Sequence, residues 1–417
     1  MMLAALIKRS PKRMSLIALA VALAAANASS QAQSSDATID QVQLQDVWSD
    51  MDVHIDDYAW EASSTSTAVG NAAAGLVMSG DVTVQTHQMQ DGTVTADNQL
   101  TGGSAGLAVA TTTAYGNSTT GGTWSGNTYY RADQVANGDV AANTTIDMDG
   151  AHTIVSATTA IANVSVPTNE WGTNAAFQTQ DSNGSVTATT DVDMCCDGNA
   201  ASFGTTAGGN AVSATGTTTS NYVGAVQTTA AGETIAAASD VYLGDGHNVL
   251  GATTAFGNSA TVHNEWGYAT LGREGSEVYQ ENASAIDSQS YVTLDNWSGA
   301  ATSSAYGVGN ATTISNVGSD TGLYANQNNY GSVYSVASFN GGASDGGAGI
   351  VTSTAIGNAA TATLCNICGD AALHGQTQQY NAGSVIAQGR ASVGQTGSVF
   401  GSATAVGNSA TYQSNGD

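Results

Sequence analysis

Eight times along the chain a string of small residues returns, centred on an asparagine that follows a glycine in seven copies and an alanine in one. The copies read "STAVGNAAAG", "TTAYGNSTTG", "TTAIANVSV", "TTAGGNAVSA", "TTAFGNSATV", "SAYGVGNATT", "STAIGNAATA" and "ATAVGNSATY". Their asparagines are Asn71, Asn117, Asn163, Asn210, Asn258, Asn310, Asn358 and Asn408, so successive copies lie 46 to 52 residues apart. A unit of that period cannot bury its apolar face alone and must stack on its neighbours, which confines the chain to a repeat architecture.

A second anchor keeps phase with the first. Gln43, Gln88, Gln134, Gln178, Gln227, Gln280, Gln327 and Gln378 each precede the next of these asparagines by 28 to 32 residues, giving a two-part repeat of about 48 residues. Helical repeats are excluded, because Gly, Thr, Ser, Asn and Val dominate and no i, i+3, i+4 apolar stripe exists after the first 26 residues. Period two survives instead: in "GSVYSVASF", Val333, Ser335, Ala337 and Phe339 share one side of a strand.

The Gly-Asn steps then read as corners, since Gly accepts positive φ without cost and Asn tolerates it while bonding its own turn. The expected fold is all-β, a repetitive β-solenoid or β-helix of about eight repeats, with Asn, Thr and Gln ladders every ~4.8 Å. Two coils of about 24 residues per repeat would give about sixteen coils and a rod of roughly 75 Å. A disordered low-complexity chain is the competing reading, but 41% apolar residues, 15 Tyr and 6 Trp argue for a packed interior.

Three regions follow. Residues 1–32 have the order of a signal peptide: Lys8, Arg9, Lys12 and Arg13, an apolar run from Met14 to Ala26, and small residues at candidate cuts after Ala28 or Ala32. Residues 33–61, with Trp48, Trp60 and many carboxylates, read as an N-terminal cap, and 62–417 as the repetitive solenoid. Loss of the leader's four cations takes the formal charge from -26 to -30, leaving Arg131, Arg273 and Arg390 against 33 carboxylates. Nucleic acid and anionic lipid are poor partners for such a polyanion. The last stretch, "SATAVGNSATYQSNGD", is expected to be a bare edge at which a β-rich partner or a second copy adds strands.

Chemistry-bearing constellations are sparse. Asp56 with Asp57, Asp147 with Asp149, and Asp191 with Asp193 are candidate acid/base pairs of a polysaccharide-active enzyme, yet none occupies a fixed place in the repeat, and a solvated coil edge is the better account. Tandem calcium-coil glycine patterns are absent. Cys365 and Cys368, with His374, make half a zinc site at most, so a local disulfide is preferred; Cys195 and Cys196 form a vicinal disulfide or stay reduced. No cofactor or metal is expected. Trp124, Trp171, Trp266 and Trp297 lie near the repeat steps, where they either pad the coils or hold sugar rings by apolar contact.

At this point the residues resemble a family. The acidic, lysine-free region after the leader, the Ser-Thr-Ala-x-Gly-Asn repeats and the intervening "GSV" segments are similar to the holdfast anchor protein HfaD family of stalked bacteria, over residues 33 to 417. The resemblance implies a non-enzymatic adhesion protein, exported and outer-membrane-associated at the cell surface, that anchors a polysaccharide holdfast. It also implies a curlin-like anchor protein and an outer-membrane secretion and assembly lipoprotein as partners, beside the polysaccharide and self-association. The alternatives are an amyloid-like or autotransporter-like surface adhesin subunit, and a polysaccharide-active β-helix enzyme.

Overall fold

The computed structural model describes residues 35–344, 347–366 and 371–416; the expected leader and Cys368 lie outside them. Alternating residues build strands throughout, and each coil has a short segment followed by a long one; the two run together in Val140–Ser182, and in later coils the long segment is split, as into Ala285–Trp297 and Ala300–Val317. In the second coil these are Val82–Gln90 and Val94–Ser125. Among the described residues there are eight such coils, whose short strands run from Ser35–Gln43 in the first to Leu373–Asn381 in the eighth. Every strand pairs in parallel with its equivalent one whole repeat away, so Val94 faces Val140, then Val186, Ile235, Ile286, Val333 and Val385.

One repeat is therefore one coil, not two of about 24 residues, and eight coils stack to about 34 Å rather than 75 Å at strand spacing. The expectation fails because the Gly-Asn step does not close a coil: the strand Val94–Ser125 continues unbroken through Asn117. The step is a shift in the inside-outside alternation, where Ala114 to Asn117 are all buried. Nor does it use left-handed backbone. Among the described residues the non-glycine positive φ angles are at Thr218 and Trp266, and the left-handed glycines include Gly102, Gly126 and Gly318 but no glycine of a Gly-Asn step. What those steps require is close approach: a Cβ on Gly116 would stand 2.5 Å from the carbonyl oxygen of Ala162.

One boundary differs from the sequence reading, and one coil carries an insertion. From Ser35 onward the expected cap is the opening of coil one, in register with coil two through Ser35 with Val82 and Val47 with Val94. The longest asparagine interval, from Asn258 to Asn310, contains an excursion between Leu271 and Val278, closed by an antiparallel bridge from Arg273 to Ser276.

The interior is narrow. One cluster holds a column of large side chains, Leu100, Ile146, Val192, Val241, Val292 and Phe339, while another is lined by Ala114, Ala160, Ala207 and Ala255. Full burial of a large aliphatic side chain stabilises by about 1.5–3 kcal/mol and an alanine methyl by less than about 1. A bare buried amide costs about 1–3 kcal/mol, so the asparagines and glutamines inside must be bonded for a thin core to persist. In "GSVYSVASF" the inward residues are Val333, Ser335, Ala337 and Phe339, as the alternation predicts.

Candidate functional site

Two amide ladders run the length of the interior. Asn71 Nδ2 donates to Asn117 Oδ1 at 2.8 Å, and the same bond repeats through Asn163, Asn210, Asn258, Asn310 and Asn358 to Asn408. The second hydrogen of each donor goes to a backbone carbonyl of the facing short strand, as from Asn117 to Val135 O at 2.9 Å. The glutamine ladder lies opposite and points the other way. Gln88 Nε2 donates back to Gln41 Oε1 at 2.7 Å, and the chain continues through Gln134, Gln180, Gln227, Gln280 and Gln327 to Gln379. Each glutamine also bonds the carbonyl just after a ladder asparagine, as Gln134 does to Val164 O at 3.1 Å. Long and short walls are thus tied together within every coil, and coil is tied to coil.

Three of the glutamines expected in this role do not take it. Gln43, Gln178 and Gln378 are replaced by Gln41, Gln180 and Gln379, because their registers set them at other columns. The sequence does contain the right residues, two or one positions away, but a loose motif cannot select between neighbouring glutamines.

The outside carries aromatic rings. Trp124, Trp171 and Trp266 are 54%, 52% and 51% exposed, where the chain passes from a long segment to the next short one. Trp171 and Trp266 occupy one column, with Thr218 between them. On the adjoining short-strand face Tyr129 and Phe177 lie 6.2 Å apart, and Tyr222 and Tyr268 5.3 Å apart. The fourth expected tryptophan departs from this pattern: Trp297 is 4% exposed and stands edge-on to Phe339 at 5.1 Å, so it is a core residue and not a sugar-facing one. It falls at a buried position of its strand, in the core cluster that holds the large side chains.

A groove of about 680 Å³ follows the junction within the long strands, crossing several coils and lined by His152, Asn199, Asp245, His247 and Asn296. Its polar groups already bond one another: His152 and Asn199 at 3.2 Å, His247 and Ser298 at 2.7 Å.

The carboxylates sit on outer faces. Asp191 pairs with Asp240 on the next coil, and Asp147 with Asp193, an alignment that spacing by one repeat would have disclosed. Burial first, and the charge of Asp191 second, push the Asp240 carboxyl up from its ordinary value. Both lie on the outside of a single sheet, whereas hydrolysis needs an acid and a base flanking the scissile bond. Asp56 and Asp57 lie at an irregularity between Ile55 and Tyr58, with Asp56 3.7 Å from His54. Cys195 is an exposed free thiol whose Sγ reaches Asp149 O at 3.1 Å, and Cys365 is a free thiol at the edge of the described residues. Among those residues no group of three His, Cys, Asp or Glu is arranged to hold a metal ion.

A family model described as HfaD, holdfast attachment protein D, matches residues 57–332. No curated protein and no solved structure matches the chain.

Proposed function

The chain belongs to the holdfast attachment protein D family, and from that membership we propose that it is a non-catalytic, load-bearing link between the cell envelope and the holdfast polysaccharide. The observation that carries the reading is the exposed aromatic surface of Trp124, Trp171 and Trp266 with the tyrosines beside it. Rings left open to water on several coils of one side offer apolar contacts to sugar C–H faces. Each contact is weak, and repetition along one rigid body multiplies them.

Resistance to pulling comes from the interior. Separating two coils breaks the parallel backbone ladder together with one Asn–Asn and one Gln–Gln bond, and both amide ladders continue through the whole stack. On this reading the protein is exported to the outer membrane surface, and the curlin-like protein and the assembly lipoprotein of the anchor are its partners.

The experiment is replacement of Trp171 and Trp266 by alanine in cells. The expected result is unchanged surface protein with polysaccharide shed into the medium. Retained polysaccharide of increased chain length would favour hydrolysis instead and defeat the anchor reading.

A further inference from the structure

The two amide ladders have direction, and their ends match. At the last coil Asn408 accepts from Asn358 and Gln379 donates to Gln327, while among the described residues Asn408 Nδ2 has no acceptor and Gln379 Oε1 no donor. At the first coil the reverse holds. Among the described residues Asn71 donates onward with no donor to its Oδ1, and Gln41 gives one N–H to Ala72 O with no acceptor for the other. Donor at one end therefore meets acceptor at the other, for both ladders at once.

Charge is complementary as well. Residues Ser35 to Glu61 carry eight carboxylates, and Leu373 to Gly416 carry none. Two first coils would repel each other. Following the register down the stack, Arg390 of the last coil stands in the column that begins with Asp52. His374 likewise stands in the column that begins with Asp36. The apolar side chains follow suit, because exposed Ile386 and Tyr380 share columns with exposed Trp48 and Val42.

We propose that a second copy of this chain seats its first coil on the last coil of the first, continuing the solenoid head to tail. Val385 then pairs with Val47, Asn408 donates to Asn71, Gln41 donates to Gln379, and Arg390 meets Asp52. The contact is heterologous, so nothing closes it and a file of copies grows. Each copy adds about 38 Å, eight strand spacings, without a change of cross-section.

The test is the mass of the purified exported protein over a concentration series, with electron microscopy of the products. Whole-protomer growth into unbranched rods is expected. Arg390→Asp should raise the concentration for half-assembly about tenfold, and adding Asp52→Arg to the same chain should restore it. Both residues lie on exposed end strands, so unchanged unfolding curves separate lost assembly from lost fold. As a second readout, chains bearing Asp50→Cys and chains bearing Gln388→Cys should form a mapped cross-link to each other when mixed, since those positions share a column. A monomer at every concentration, a dimer that never grows, or a preferred link between two Gln388→Cys chains would overturn the proposal.

Discussion

Asn210 Nδ2 lies 2.8 Å from Asn258 Oδ1, although 48 residues separate them in the chain. The same nitrogen donates to Thr228 O across the coil, and the residue's oxygen accepts from Asn163. Asn210→Ala would therefore orphan a buried donor and a buried carbonyl, at a cost of about 2–4 kcal/mol. Asn408→Ala, at the exposed last coil, should cost less than about 1 kcal/mol in the isolated protein, because water replaces what is lost. Chemical unfolding of the two variants side by side measures the contrast. Equal losses would show that the ladder is not what holds the stack.

Gln178 and Gln180 make a second contrast, two residues apart on one strand. Gln180 bonds Gln134 at 2.8 Å and Ala211 O at 3.1 Å. Gln178 is also buried, yet neither its Nε2 nor its Oε1 has a hydrogen-bond partner among the described residues. Gln178→Met should be neutral or stabilising, by up to about 1 kcal/mol, since a buried amide without partners is replaced by an apolar chain of similar size. Gln180→Met should lose about 2 kcal/mol or more. Thermal unfolding of the pair distinguishes them.

Much of this was legible in the sequence, for a physical reason. A parallel solenoid puts chemically identical residues on top of one another, so a ladder that works in one coil is repeated in all eight, and Asn71 to Asn408 announce themselves by spacing. Coil size was not legible, because the Gly-Asn step looks like a tight turn when only residue types are read. Its glycine serves the approach of Ala162 O to Gly116, a contact between coils that no local rule contains. The same limit hid the fate of Trp297. Exposure of a ring depends on which side of the strand it falls and on how wide the core is beneath, as the contact with Phe339 shows.

Thr218 and Trp266 hold left-handed backbone, with φ of 54° and 59°, in the column where the following coil has Gly318 at 81°. A β-branched residue there is strained, while glycine adopts the conformation freely. Thr218→Gly should stabilise the protein by about 1 kcal/mol, because its side chain is exposed and little packing is lost. Trp266→Gly should gain less, since its ring covers Gly318. A melting temperature that falls for Thr218→Gly would mean that the hydroxyl or methyl supports the turn in a way the geometry does not reveal.

Asp240 gives the stack a pH dependence of definite sign. Its carboxyl is raised first by burial and then by Asp191 on the coil before, so the folded chain holds this proton more tightly than the unfolded one. A raised folded value contributes stability that is complete below the ordinary carboxyl range and is lost as pH climbs through the raised value. At neutral pH the ionised group is thus a net cost. Asp240→Asn should be more stable than the parent at pH 7 by roughly half a kcal/mol, a small figure because the exposed side of the group is screened by water. The advantage should vanish below about pH 3, where both forms of the protein carry a neutral side chain at this position. Asp191→Asn should recover part of the same gain by removing the neighbouring charge, and the double variant should gain less than the sum of the two. Additive gains in unfolding free energy would mean that the two carboxylates do not sense each other across the coils.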